Sequence, residues 1–196
     1  MATTINASTS AGLVSTADTS GVLQLQAANT TVLNAELGKA LALQGATSTT
    51  GCGIAFPATQ VASSDVNTLD DYEEGTWTPT VIGSTSAGTA TYSLQSGSYT
   101  KIGNTVNFWL KLTWTGGTGT GSLQVSSLPF TPVTTNLPVM NLLAINISLT
   151  AGQTPYCFMN GTIIQIVQLP TGGGSDTTVP YDAAGSLYIT GTYPTT

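Results

Sequence analysis

The sequence has no histidine and no arginine, and three lysines are all its basic charge. Each absence removes a class of function. Without His, Ser–His and Cys–His nucleophile systems cannot be assembled. No His-containing zinc site can form, and Cys52 and Cys157 are too far apart in sequence to show metal-ligand spacing. Paired carboxylates are the remaining acid–base arrangement. Asp70, Asp71, Glu73 and Glu74 offer one, but so tight a run reads more simply as a solvated acidic linker. With a net charge of −6 there is no basic patch for phosphates and no polybasic segment for anionic membranes. Neither nucleic-acid binding nor membrane insertion is expected. No apolar run reaches the length of a membrane span and the start lacks a leader pattern, so the expectation is a soluble protein made in a cytoplasm. Gly116-Gly117 and Gly172-Gly173-Gly174 lack the Gly-Lys-Ser/Thr ending of a phosphate-binding loop. No enzymatic activity, cofactor or metal is therefore expected, and both cysteines are expected as free, buried thiols.

Charged residues make up 6 % of the chain, against roughly a quarter in an average soluble protein. Thr, Ser, Asn, Gln and Gly must supply the polar surface instead. Thr suits a pleated surface and Gly suits turns, so the composition predicts an all-β chain. Three regions differ in make-up. Residues 1–50 are nearly free of aromatics, and residues 51–75 hold most of the acidic charge. Residues 76–196 hold all three Trp and six of the seven Tyr, so the compact core belongs there. The expected organisation is an N-terminal shaft or attachment segment over 1–50, an extended acidic connector over 51–75, and a β-sandwich, jelly-roll-like head over 76–196.

Period-2 alternation marks the strands. Val106, Phe108, Leu110, Leu112 and Trp114 share one face, with Asn107, Trp109, Lys111 and Thr113 opposite. Leu123 to Val125 forms a short strand. Leu142 to Leu149 is another, with Leu143, Ile145, Ile147 and Leu149 on one face. Asn160-Gly161 between apolar alternating runs is a hairpin signal. Leu187 to Thr190 is expected as the terminal strand. In the first region Leu23 and Leu25 alternate with Gln24 and Gln26. Residues 32–43 fit a helix or a strand, and either exposes Leu33, Leu37, Leu41 and Leu43 on a single chain.

The run Leu69-Asp70-Asp71-Tyr72-Glu73-Glu74-Gly75-Thr76-Trp77-Thr78-Pro79-Thr80-Val81 resembles a junction in tail-fibre and virion-spike proteins of tailed bacteriophages. Residues 10–26, SAGLVSTADTSGVLQLQ, look like the repeats of viral fibre shafts. Residues 97–106, GSYTKIGNTV, resemble the strand that follows the junction. The resemblance implies a homotrimer: a β-structured shaft, with Leu23, Leu25, Leu33, Leu37, Leu41 and Leu43 at the trimer interface, carrying a sandwich head. It implies a place in the virion, contact with other virion proteins through the N-terminal segment, and host-surface attachment. A capsid decoration, cement or head-fibre protein is the alternative. About one shaft repeat is present, a departure from long fibres.

If the head contacts a host-cell surface glycan, aromatic faces beside hydrogen-bonding groups are the residues to examine. Trp109, on the polar face of its strand, is one candidate; it also suits a subunit interface. Tyr181 beside Asp182, in a long loop after Gly172-Gly173-Gly174, is the other. The loops 115–122, 150–156 and 170–186 are where such contacts are expected.

Overall fold

The structure, a computed structural model, describes residues 22–27, 30–36, 41–43, 53–60, 63–65, 67–133 and 138–195, with side chains from residue 53 onward. It divides into two compact units, 1–70 and 71–196. Every regular element described is a strand, so the all-β expectation holds.

The first unit contains β1 (Val22–Ala27), β2 (Thr30–Glu36), β3 (Leu41–Leu43) and β4 (Ile54–Ala55), in the order β1-β2-β3-β4. β1, β2 and β3 pair antiparallel, and β3 pairs β4 in parallel. The ambiguous stretch 32–43 is therefore strand wherever it is described. Leu33 is the register partner of both Leu25 and Leu43. Leu37 lies outside the described residues, as do the side chains of Leu23, Leu25, Leu33, Leu41 and Leu43. Further on, Asp65 accepts the Asn67 N–H at 2.9 Å in an Asx-turn, and Asp70 accepts the Ser63 N–H at 2.8 Å.

The second unit holds β5 (Tyr72–Trp77), β6 (Thr80–Gly83), β7 (Thr91–Ile102), β8 (Thr105–Thr115), β9 (Leu123–Ser126), β10 (Val139–Ile145), β11 (Gln153–Asn160), β12 (Ile163–Pro170), β13 (Thr177–Thr178) and β14 (Gly185–Pro194). They form one ten-stranded sheet in the order β5-β7-β8-β14-β10-β11-β12-β9-β6, with β13 on β12. All its pairings are antiparallel. The sheet curls into a half-barrel around one core. The bend falls in β10: Val139 and Met140 pair with β11, while Asn141 to Ile145 pair with β14. A strand that changes neighbours in this way lets one sheet cover both sides of a core.

The two edge strands, β5 and β6, are joined by only Thr78 and Pro79. The chain thus crosses from one edge of the sheet to the other within a single turn. Side chains of β7 tie this seam. The Val81 N–H donates to Tyr92 Oη at 2.9 Å, and Gln95 Nε2 donates to the Pro79 carbonyl at 2.9 Å.

The core is contributed by both halves. β8 presents Val106, Phe108, Leu110, Leu112 and Trp114 inward, as its alternation predicted. Met159, Ile164 and Ile166 from β11 and β12, with Leu123 and Val125 of β9, close over them. The hairpin near Asn160 is present but displaced by one residue. Asn160 pairs with Ile163, so Gly161 and Thr162 form the turn, and Gly161 takes a φ of +62°. Gly at the first central position suits a two-residue hairpin loop. The segment 97–106 is likewise two strand ends around a Gly103-Asn104 turn.

Two expectations are corrected here. β10 starts earlier and ends earlier than expected, and its inward face is Met140, Leu142 and Ala144. Leu143 and Ile145 point outward and are exposed. Asn146 adopts a φ of +56°, which ends the alternation and returns Ile147 to the core. The acidic run is not a solvated linker throughout. Asp71 is 1 % exposed and forms an ion pair with Lys101, itself 4 % exposed. Residues 72–77 form an edge strand, with Glu73 opposite Lys101 in register, so the second unit starts at Asp71 rather than at 76. Trp77 packs edge-on against Phe108, with ring centres 5.8 Å apart.

Cys157 is a free, buried thiol, whereas Cys52 lies outside the described residues. Burial pushes the Cys157 thiol from 9.0 up to about 12. It also pushes the Tyr193 hydroxyl from 10.0 up to about 12, partly opposed by the hydrogen bond with the Phe130 backbone. Both folded-state values are raised, so their contribution to stability is complete below pH 9 and is lost as pH climbs towards 12. Urea midpoints should be level from neutral pH to about pH 9 and fall steadily above it. A midpoint at pH 11 equal to that at pH 8 would contradict this.

Candidate functional site

The outer face of the β7-β8-β14-β10 region is built by cross-strand register. Ser98, Trp109, Thr190 and Asn141 form one row across the four strands. Ser96, Lys111, Tyr188 and Leu143 form the next. Alternate residues on a strand share a face, so these rows lie side by side about 7 Å apart. Trp109 is 45 % exposed and Leu143 55 % exposed. Large apolar groups therefore stand on a face whose other members are mostly Ser, Thr and Asn.

Lys111 lies between two rings. Its Nζ is 5.8 Å from the centre of Trp109 and 5.7 Å from that of Tyr188. Such contacts orient an ammonium group while leaving it accessible to an anion. Among the described residues, Lys111 has no carboxylate partner, and it is exposed. The other lysine of this unit, Lys101, is buried on Asp71.

Two shallow depressions share Trp109 in their walls. One, of about 410 Å³, is bounded by Lys111, Asn141, Leu143 and Tyr188. The second, of about 260 Å³, is bounded by Ser98, Thr100 and Asn107. Thr190 borders both. The first is mainly apolar and the second is rich in hydroxyl and amide groups. Within the second, Asn107 Oδ1 accepts from Thr192 at 2.7 Å, which leaves its amide N–H groups to face outward.

Tyr181 and Asp182 occupy a different place and are engaged by the fold. The Tyr181 ring lies against Gly117 and Gly119, where any added Cβ would meet it at 2.6 to 2.7 Å. Its N–H donates to the Gly121 carbonyl at 2.8 Å. Asp182 Oδ2 accepts the Ser148 N–H at 2.6 Å, and its carbonyl accepts Trp114 Nε1 at 3.0 Å. The pair knits the 170–186 segment to the 116–121 and 146–149 segments. The Gly-rich segment is itself tied down, by a Ser86–Thr120 bridge and a Thr118 N–H bond to Thr89.

The sequence singled out Trp109 as a candidate but not Lys111, Tyr188 and Asn141, which the register places beside it. Their strands are distant in sequence, so only the register unites them. Among the described residues no group of three His, Cys, Asp or Glu is placed to hold a metal ion, and no helix is long and apolar enough to cross a membrane. No family model, curated protein or solved structure matches the chain.

Proposed function

We propose that this chain is a structural, non-enzymatic subunit of a tailed-bacteriophage particle: a trimeric fibre or spike that serves in attachment to the host surface. In this reading residues 1–50 form a short shaft and trimerisation segment that meets other virion proteins. The curled sheet acts as the jelly-roll-like sandwich head. The observation that carries the reading is the outer face around Trp109, where aromatic and aliphatic side chains remain exposed beside an ammonium group that has no carboxylate partner among the described residues. Exposed groups of this kind, rimmed by polar residues, mark interaction surfaces. The resemblance of residues 69–81 to fibre and spike junctions supports the virion setting, and the lack of His supports a role without catalysis.

Particles deleted for the chain test it. The expected result is assembled particles with much reduced adsorption to host cells. Normal adsorption, together with lowered heat resistance of the capsid and hundreds of copies per particle, would replace this reading with that of a decoration protein.

A further inference from the structure

We propose that the face around Trp109 binds an oligosaccharide carrying an acidic sugar, with a pyranose ring stacked on Trp109 and a carboxylate paired with Lys111. The inference rests on the attachment reading and names the ligand class for it.

Three features of the face select this occupant. The first is shape. Trp109 and Thr190 line both of two open depressions that follow each other across the strands. The row from Ser98 to Asn141 crosses three strand spacings, about 14 Å. That is an elongated track rather than a closed pocket, and it suits successive units of a chain lying on one aromatic ring. The second is hydrogen-bonding chemistry. Ser98, Thr100 and Asn141 offer short hydroxyl and amide groups along the track, Asn107 adds its amide N–H groups, and Thr190, whose hydroxyl donates to the Phe108 carbonyl at 3.0 Å, adds an acceptor. Together such groups both donate and accept, as sugar hydroxyls do.

The third feature is charge. Lys111 is held over the Trp109 and Tyr188 rings with no carboxylate partner among the described residues. An ammonium group fixed beside an apolar surface is complementary to a ligand carboxylate. A wholly neutral glycan would leave that charge unused. A dense polyanion is disfavoured for the opposite reason, since the chain carries a net charge of −6 and repels it at long range. The fit is to a mixed chain in which an acidic sugar alternates with neutral ones. A single shallow site of this kind is weak, and three heads on one particle-bound trimer would gain about 10²–10⁴-fold by avidity.

The test uses the full-length protein and defined hexasaccharides. Hyaluronan and unsulfated chondroitin hexasaccharides, in which an acidic sugar alternates with a neutral one, are the acidic probes, and chitohexaose and maltohexaose are the neutral ones. Tryptophan fluorescence and amide chemical shifts report binding. At least one acidic probe should bind at submillimolar Kd, at least tenfold tighter than either neutral probe, and should shift the Trp109 indole resonance. Lys111→Gln should lose about tenfold on the acidic probe, the scale of a charge-assisted hydrogen bond, and bring it level with the neutral ones. Trp109→Ala should lose binding of all probes, and Trp109→Phe, which keeps a ring, should retain part of it. Both residues are exposed, so melting temperatures should match the parent; if Trp109→Ala does not fold, Lys111→Gln and Trp109→Phe still decide.

Binding of neither acidic probe, or acidic binding unchanged in Lys111→Gln, would overturn the proposal. So would a flat titration combined with a smaller sedimenting species for Trp109→Ala, which would seat a second copy of the chain on this face. Two further results separate this proposal from the attachment reading. If deletion abolishes adsorption while Trp109→Ala and Lys111→Gln particles adsorb normally, the site is wrong and attachment stands. If the acidic probes bind but particles lacking the chain adsorb normally, the site stands and attachment is wrong.

Discussion

Replacing Lys101 by Met should destabilise the second unit by about 3–5 kcal/mol, the range for removing one partner of a buried ion pair. Lys101 and Asp71 are both almost fully enclosed. The second carboxylate oxygen of Asp71 is buried and has no hydrogen-bond partner among the described residues, so its compensation rests on the Lys101 ammonium group. Met preserves much of the Lys stem's volume, including its packing near Phe130, where Nζ lies 5.6 Å from the ring centre. The loss should therefore be electrostatic rather than steric. Asp71→Leu combined with Lys101→Met should recover most of it, because a well-packed apolar pair of similar volume is often neutral relative to a buried ion pair. Urea denaturation of the four members of this cycle measures the coupling. A loss below about 1 kcal/mol in Lys101→Met would mean that Asp71 finds solvation elsewhere.

Trp114→Ala should have an effect of the same size, about 3–5 kcal/mol, as for other buried aromatic truncations. Trp114 lies near the C-terminal end of β8 in the core cluster, and its ring and Ile147 both border Gly185. Its indole N–H is also the donor to the Asp182 carbonyl. The substitution therefore opens a cavity and releases the segment that carries Tyr181 and Asp182. Trp114→Phe separates the two effects. It keeps most of the apolar volume and loses the hydrogen bond, and should cost less than Ala while still raising amide exchange around residues 181–185. Urea midpoints should shift with little change in slope, which marks lost stability rather than altered compactness. Equal losses for Phe and Ala would show that the hydrogen bond, not the packed volume, carries the residue's contribution.

The same contacts make Tyr181 and Asp182 poor probes of recognition. Their substitution would loosen the 116–121 and 146–149 segments together, so reduced adsorption could not be assigned to a lost contact. Trp109 and Lys111 sit outside the core and can be changed without that ambiguity.

Some of this protein was legible in one dimension. A chain with few charges and many Thr and Gly residues has to form strands, and the strict alternation of β8 named its buried face correctly because its other face is mostly polar. The turn after Asn160 was marked by glycine's ability to adopt positive φ. β10 shows where local reading ends. Val139, Leu143 and Ile145 alternate with Met140, Leu142 and Ala144, so both faces are largely apolar, Asn141 being the exception, and alternation alone cannot say which is inside. Its neighbours β11 and β14 decide that, together with the left-handed turn at Asn146. The acidic run hid a buried ion pair for a related reason. A carboxylate's environment depends on where its partner lies, and Lys101 reaches Asp71 only through the β5–β7 register. Lys111, Tyr188 and Asn141 join Trp109 in the same way, across strands separated by long stretches of chain. Periodicity is a property of a single strand and was written in the sequence; adjacency belongs to pairs of strands and came only with the tertiary structure.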